Sequence, residues 1–180
     1  MYKPSDHILI IFGASGDLTR RKLIPALREL QKRNLLPEKF AVLGIGRSSF
    51  DDASYRQMIA GHHEDLDEIL PLLHYQSMDP GSARSYGELK GRLEQLSGEL
   101  GIAPNYLFYL ATPPTLYESI PRLLCETGLT GEEEGVFRRI IIEKPFGTDH
   151  SSAVKLNRAL LTHQEDHQIY RINQYLGKET

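Results

Sequence analysis

A short glycine-containing turn near the start of the chain has residue types that suit phosphate binding. Residues 13–18 (Gly-Ala-Ser-Gly-Asp-Leu) follow an apolar run, residues 8–12, and lead directly into a helical pattern of leucines. The first turn of a helix leaves backbone N–H groups without partners, and Gly13 and Gly16 allow the backbone to approach a ligand closely. The sequence therefore predicts that this turn binds the phosphates of a nucleotide.

Taken alone, the turn is an incomplete match to the dinucleotide-binding pattern G-x-G-x-x-G. Ser15 replaces the second glycine of that pattern, and Leu18 stands where the third would be. The alternative is a tight strand-to-helix turn that binds no ligand. The position of residues 13–18 in the first βα unit favours nucleotide binding over this alternative. A P-loop is disfavoured, because no Gly-Lys-Ser/Thr follows the turn.

The end of the second predicted strand, residues 44–49 (Gly-Ile-Gly-Arg-Ser-Ser), indicates which dinucleotide is bound. At this point an acidic residue binds the ribose hydroxyls of NAD, whereas an arginine suits the 2′-phosphate of NADP. Arg47 supplies a guanidinium, which can donate two parallel hydrogen bonds to a phosphate, and Ser48 supplies a hydroxyl. The first carboxylate after the strand comes only at Asp51. These residues favour NADP, and the alternative is that Arg47 is a solvated loop arginine.

Composition and charge exclude several classes of protein. The 180 residues suffice for one domain, and 40% hydrophobic with 25% charged residues is typical of a globular protein. A net charge of −3 without a basic block argues against nucleic-acid binding. The apolar runs are too short for a membrane span or a signal peptide, and the single cysteine, Cys125, fits a reducing compartment. We therefore expect a cytoplasmic protein.

Strand-like and helix-like patterns alternate along the chain and must position these turns. Apolar runs predict strands at residues 8–12, 40–45, 74–78, 105–111, 137–142 and 169–172. A helix is predicted at 18–30, with either a bend or a separate turn near Pro25. Further helices are predicted at 53–60 after an Asp51-Asp52 cap, within 61–73, at 83–100, after a capping box at 115–118, and from an Asp149 cap to about Leu161. This order predicts an α/β, doubly wound Rossmann-type fold, with a mostly parallel sheet, helices on both faces and one domain over residues 1–180.

Several segments, taken in order, resemble the glucose-6-phosphate dehydrogenase family over essentially the whole chain. They are residues 13–18 with 21–23, 46–48, 111–114, 143–147 (Glu-Lys-Pro-Phe-Gly) and 170–179 (Tyr-Arg-Ile-Asn-Gln-Tyr-Leu-Gly-Lys-Glu). The resemblance implies oxidation of glucose 6-phosphate at C1 to the lactone with hydride transfer to NADP⁺, the first step of the oxidative pentose phosphate pathway. It also implies a larger second domain, absent from this chain, through which a homo-oligomer forms. We therefore expect the chain alone to be inactive.

The resemblance implies a role for each matching residue. The residues implied for the pyrophosphate are Gly13, Ala14, Ser15, Gly16, Asp17 and Leu18. The residues implied for the rest of the cofactor are Arg47 and Ser48 at the 2′-phosphate, Asp79 at the ribose or adenine, and Ala111, Thr112 and Pro113 at the nicotinamide. Lys144, placed by a cis bond before Pro145, would lie between cofactor and sugar. The residues implied for the substrate are Lys144 and, at the substrate phosphate, Gln174, Tyr175 and Lys178.

One departure from the family pattern bears on catalysis. The family has Asp-His where this chain has Asn173-Gln174, and neither amide can ionise. In the family the histidine helps to bind the phosphate, while the aspartate orients a catalytic histidine that lies beyond residue 180. Asn173 thus occupies a catalytic position without a carboxylate, through either a deliberate substitution or natural divergence. No histidine of the chain matches the family's base motif, and His163 and His167 are expected at a polar helix end rather than on a metal.

Two other functions remain open on the sequence. One is another NADP-linked sugar-phosphate oxidoreductase with the same first domain, and the other is a non-catalytic NADP-binding protein derived from a dehydrogenase. The second rests only on Asn173 and Gln174.

Overall fold

The computed structural model describes residues 3–146 and 149–173, in which strands and helices alternate. The strands are β1 (His7–Phe12), β2 (Phe40–Gly46), β3 (Leu73–Ser77), β4 (Tyr106–Leu110), β5 (Arg138–Glu143) and β6 (Ile169–Ile172). The helices are α1 (Ile24–Lys32), α2 (Asp52–Ala60), α3 (Ser85–Leu100), α4 (Ser119–Glu126) and α5 (His150–His163). Each predicted strand is confirmed, with ends that agree to within one residue.

The strands form one sheet of 6 strands in the order β3-β2-β1-β4-β5-β6, and every neighbouring pair is parallel. This is the strand order of a Rossmann fold, so the predicted doubly wound class is confirmed. The order reverses between β1 and β4, and in such sheets ligands bind in the crevice outside the carboxyl ends of these two strands.

Alternate residues of β1 enter hydrophobic cores on opposite faces of the sheet. Ile8, Ile10 and Phe12 pack with residues of α3, α4 and α5, whereas Leu9 and Ile11 pack with residues of α1 and α2. Every residue of β1 is buried, as its unbroken apolar run predicts for a central parallel strand. Helices on both faces therefore hold the strand that carries the phosphate turn.

Within the described ranges no helix is both long and apolar enough to cross a membrane.

Two of the predicted helix caps are present as capping boxes. The Asp51 carboxylate accepts a hydrogen bond from the Ser54 amide at the start of α2, and Asp149 does the same with Ser152 at the start of α5. These amide bonds favour the ionised carboxylate and so lower the pKa of both aspartates.

The capping box expected at residues 115–118 is wrong. Pro114 fixes its own φ and begins a 3₁₀ turn, Pro114–Leu116, so Thr115 lies inside a turn rather than before a helix. Helix α4 then begins at Ser119, and the preceding Glu118 makes no side-chain cap.

One further helix prediction needs correction: the helix expected within residues 61–73 is only the 3₁₀ turn Leu70–Leu72. The helical run expected over residues 18–30 is present, and near Pro25 it changes from a π-helical turn, Thr19–Leu23, to α1. Pro25 lies in the first turn of α1, where its missing N–H costs no α-helical hydrogen bond.

Gly13 directly follows β1 and lies against Ala111, which directly follows β4. Its φ of +88° belongs to the left-handed region that favours glycine. A Cβ atom at this position would overlap the carbonyl oxygen of Ala111, which follows β4. Both the backbone angle and the contact therefore require glycine.

We expect Gly13→Ala to lower the free energy of unfolding by at least about 2 kcal/mol, because it adds backbone strain to a steric clash. Gly91→Ala is the matched control, since a Cβ at Gly91 in α3 would meet no atom within 4 Å. That change should raise stability by about 0.5–1 kcal/mol through helix propensity. Chemical denaturation measures both, and equal effects of the two substitutions would contradict the close approach at Gly13.

Candidate dinucleotide-binding site

A cleft of about 770 Å³ opens at the carboxyl ends of β1, β2 and β4. The residues that line it are Gly13, Ser15, Gly16, Gly46, Arg47, Ser48, Asp79, Pro80, Ala111, Thr112, Pro113, Thr115 and Leu116. The structure therefore brings together, from four separate parts of the chain, most of the positions that the sequence indicated for the cofactor. Ala14 is buried beneath the cleft, and Asp17 and Leu18 continue into the helix instead of lining it.

Hydrogen bonds to β2 hold the phosphate turn in place. The amides of Gly13 and Ala14 both donate to the carbonyl of Ile45, over 2.9 and 3.0 Å. The amide of Gly16 and the hydroxyl of Thr19 both donate to the carbonyl of Gly13, each over 3.0 Å. These four hydrogen bonds fix the backbone path of the turn against β2.

The amides left at the mouth of the turn can bind an anion. In the described part of the chain the Ser15 amide donates to no acceptor, and Asp17 and Leu18 begin a helix, whose first N–H groups lack intrahelical partners. The Asp17 carboxylate pairs with the Arg20 guanidinium, which offsets its repulsion of a phosphate. The expected anion site is therefore built mainly from the Ser15, Asp17 and Leu18 amides, since Gly16 uses its own within the turn.

The loop after β2 faces this turn across the cleft. The Ser48 hydroxyl donates to the Ser15 hydroxyl over 3.2 Å, which joins the two loops. Arg47 is exposed, and among the described residues its guanidinium makes neither a hydrogen bond nor an ion pair. The loop thus places the Arg47 guanidinium at the rim of the cleft, where it can bind an anion.

Acidic residues near this loop already have structural partners. Asp51 caps α2, and the Asp79 carboxylate accepts the amide of Gly81 over 2.9 Å. Asp52 accepts the amide of Tyr75 over 2.8 Å and pairs with His74 and Arg92. Burial alone would raise the pKa of Asp52, but these donors outweigh it and lower the pKa. Only Asp79 of these aspartates lines the cleft.

The segment after β4 contributes a buried polar atom. The Ala111 amide donates to the carbonyl of Phe12 over 2.9 Å, which fixes the segment against the end of β1. The hydroxyl oxygen of Thr112 is buried and has no hydrogen-bond partner within the described ranges. An unmet hydroxyl of this kind costs about 1–3 kcal/mol, so the site suits a polar ligand group at Thr112.

Lys144 follows β5 and so lies at the carboxyl ends of the strands, as the cleft does, but it is not among the residues that line the cleft. Its bond to Pro145 is cis, as the resemblance implied. The Lys144 amide donates to the carbonyl of Ile172 over 3.0 Å, so the chain after β5 is held beside the chain that leads to Asn173. Lys144 and Asn173 are both exposed, while Gln174, Tyr175 and Lys178 lie outside the described residues.

Sequence reasoning missed a buried pair beneath Lys144. The hydroxyl of Tyr109 donates to the carboxylate of Glu143, and both residues are less than one tenth exposed. Burial and then the bond to Glu143 raise the pKa of Tyr109 well above its usual value. An acidic residue that ends an apolar strand was the available signal, because a buried carboxylate requires a partner.

Comparison with known proteins agrees with this geometry. Residues 10–180 match the family model described as "Glucose-6-phosphate dehydrogenase, NAD binding domain". The glucose-6-phosphate 1-dehydrogenase of Treponema pallidum is 44% identical over 97% of the chain, and that of Aggregatibacter actinomycetemcomitans is 42% identical over 99%. The chain spans 36% and 37% of the length of these two relatives.

Solved structures give the same result. The fold is similar to that of a glucose-6-phosphate dehydrogenase in complex with its substrate glucose-6-phosphate, with a TM-score of 0.84 and 30% identity over 99% of this chain and 38% of the other. It is also similar to the enzyme of Mycobacterium avium, with a TM-score of 0.77 and 28% identity over 94% of this chain and 36% of the other. With the parallel sheet, the glycine turn and the cleft at the strand reversal, these matches show that the chain belongs to the glucose-6-phosphate dehydrogenase family and carries its nicotinamide dinucleotide-binding domain.

Proposed function

We propose that the cleft binds NADP⁺ in preference to NAD⁺. The pyrophosphate lies on the amides at Ser15, Asp17 and Leu18, the 2′-phosphate lies against Arg47 and Ser48, and the nicotinamide lies near residues 111–113. The observation that carries the proposal is the guanidinium of Arg47, which stands without a partner among the described residues at the rim of the cleft. A forked cation of this kind suits a phosphate dianion.

The acidic residues nearby support the same preference. NAD-selective sites use a carboxylate to bind both ribose hydroxyls. Here Asp51 accepts a hydrogen bond from the Ser54 amide in α2, and Asp52 accepts one from the Tyr75 amide in β3. Asp79, the one of these aspartates that lines the cleft, already accepts a hydrogen bond from the Gly81 amide in its own turn, while Arg47 makes neither a hydrogen bond nor an ion pair among the described residues.

We propose further that the protein containing this domain oxidises glucose 6-phosphate to the 6-phosphoglucono-lactone, the first step of the oxidative pentose phosphate pathway. Oxidation at C1 removes a hydride, which bound NADP⁺ would accept, and the proton of the C1 hydroxyl, which by the family resemblance a histidine beyond residue 180 would accept. Lys144 would lie between the nicotinamide and the sugar, and Gln174, Tyr175 and Lys178 would bind the sugar phosphate. The substrate is the one carried by the similar solved structure. We also propose a cytoplasmic location and, for a full-length protein, a homo-oligomer.

A second candidate is a non-catalytic NADP-binding protein. It is favoured by Asn173, because an amide cannot supply the charge with which a carboxylate orients and stabilises a catalytic histidine. Turnover of glucose 6-phosphate by the intact protein separates the two functions, since only the enzyme reduces NADP⁺ in proportion to added sugar phosphate.

Replacing the loop cation tests the cofactor assignment. We expect Arg47→Ala to weaken NADP⁺ binding about 10- to 100-fold, because charged hydrogen bonds contribute about 1.5–3 kcal/mol, and to change NAD⁺ binding by less than about 2-fold. Calorimetric titration with each nucleotide measures this, and Arg33→Ala, at an exposed arginine after α1, is the matched control. An equal loss for both nucleotides would remove Arg47 from the 2′-phosphate site.

Restoring the family histidine tests the substrate assignment. In a full-length protein, Gln174→His should tighten binding of glucose 6-phosphate by about 1–3 kcal/mol, since a histidine can donate as a cation to the phosphate. Equilibrium binding of the sugar phosphate measures the change, with Gln95→His on the exposed surface of α3 as the control. If the two variants bind glucose 6-phosphate alike, position 174 does not contact the phosphate.

A further inference from the structure

Two stacked tyrosines lie beneath the two loops of the cleft. Tyr55 of α2 and Tyr75 of β3 are buried, with ring centroids 4.7 Å apart and planes inclined by 26°. Phe50 packs its ring against Tyr75 at 5.5 Å. Gly44 of β2 makes room for the stack, because a Cβ there would lie 3.2 Å from the Tyr75 ring and 3.3 Å from the Tyr55 ring. The aromatic pair is therefore a fixed support between α2 and the sheet.

Each tyrosine hydroxyl bonds a backbone carbonyl in a different loop of the cleft, and the Tyr75 hydroxyl also interacts with the Ser15 side chain. Tyr55 donates to the carbonyl of Ala14, in the phosphate turn, over 2.9 Å. Tyr75 donates to the carbonyl of Ser48, in the loop that carries Arg47, over 2.9 Å. A phenol that is buried needs such a partner, so each ring fixes the backbone of one loop.

Tyr75 contacts the backbone on both sides of Arg47. Its hydroxyl lies close against Gly46, where a Cβ atom would come within 2.8 Å of the oxygen. The same hydroxyl holds the carbonyl of Ser48, one residue after Arg47. Burial raises the pKa of Tyr75, although hydrogen bonds with Ser15 and Ser48 act in the opposite direction. The phenol therefore remains a neutral donor at physiological pH.

We propose that Tyr75 is a positioning residue that determines selectivity for NADP⁺ over NAD⁺, by holding the backbone on both sides of Arg47. Tyr55 supports the phosphate turn, which serves both nucleotides equally. The proposal rests on the proposed binding of NADP⁺ in this cleft. Fixing the loop in advance lowers the entropy cost of placing the guanidinium on the 2′-phosphate, and NAD⁺, which lacks that phosphate, gains nothing from it.

Removing one hydroxyl at a time separates selectivity from affinity. Tyr75→Phe and Tyr55→Phe keep both rings and the stack. In calorimetric titrations of the intact protein, we expect Tyr75→Phe to weaken NADP⁺ binding about 3- to 10-fold and NAD⁺ binding by less than about 2-fold. Tyr55→Phe should weaken the binding of both nucleotides by a similar factor, about 3- to 10-fold, and leave their ratio unchanged.

A double-mutant cycle tests whether Tyr75 acts through Arg47. In the Arg47→Ala background, Tyr75→Phe should cause no further loss of NADP⁺ affinity, whereas independent effects would multiply. Gly46→Ala is a second variant that pushes on the same hydroxyl and should lower the NADP⁺/NAD⁺ preference in the same way.

The outcomes distinguish this proposal from the one on which it rests. If the unaltered protein binds NADP⁺ no better than NAD⁺, the proposed cofactor preference is wrong and the role of Tyr75 falls with it. If the unaltered protein prefers NADP⁺ but Tyr75→Phe weakens both nucleotides equally or neither, the cofactor preference stands and Tyr75 is only a structural residue.

Discussion

The carbonyl of Ile45 is the point on which the cofactor site depends. It accepts hydrogen bonds from both Gly13 and Ala14, and it lies one residue before the glycine that leads into the Arg47 loop. One acceptor at the end of β2 thus fixes the start of the phosphate turn relative to the loop that faces it. The parallel pairing of β1 with β2 places this acceptor, because Phe12 and Ile45 are partners in the register.

Backbone N–H groups without hydrogen-bond partners within the turn contribute to the candidate site as much as its side chains do. Gly13 uses a left-handed φ so that the chain can turn against Ala111, and Gly16 closes the turn through its amide. What remains is the Ser15 amide and the start of a helix, which together favour negative charge. Arg47 adds a cation across the cleft, so groups that attract negative charge face the cleft from both sides.

The fold was accessible from the sequence, because it depends largely on local signals, and most positions that the sequence indicated for the cofactor line one cleft. The unbroken apolar run of β1, the glycine at its end and the caps at Asp51 and Asp149 each specify structure within a few residues, and all are confirmed. The capping box expected at Thr115 failed for an equally local reason, since the neighbouring Pro114 begins a turn one residue earlier.

The hydrogen bonds of the buried tyrosines could not be predicted from local sequence signals. Tyr55 and Ala14 are 41 residues apart in the chain, Tyr75 and Ser48 are 27 apart, and Tyr109 and Glu143 are 34 apart. A tyrosine in an apolar pattern indicates burial, but the partner of its hydroxyl depends on strand order and register. These hydroxyl contacts therefore become visible only when the sheet is assembled.

A crystal structure of the protein with NADP⁺ would show which groups of the cleft contact the nucleotide. We expect pyrophosphate oxygens within about 3 Å of the Ser15 and Asp17 amides, and a 2′-phosphate within hydrogen-bond distance of the Arg47 guanidinium. A nucleotide bound with its pyrophosphate away from this turn, or with Arg47 left facing solvent, would contradict it.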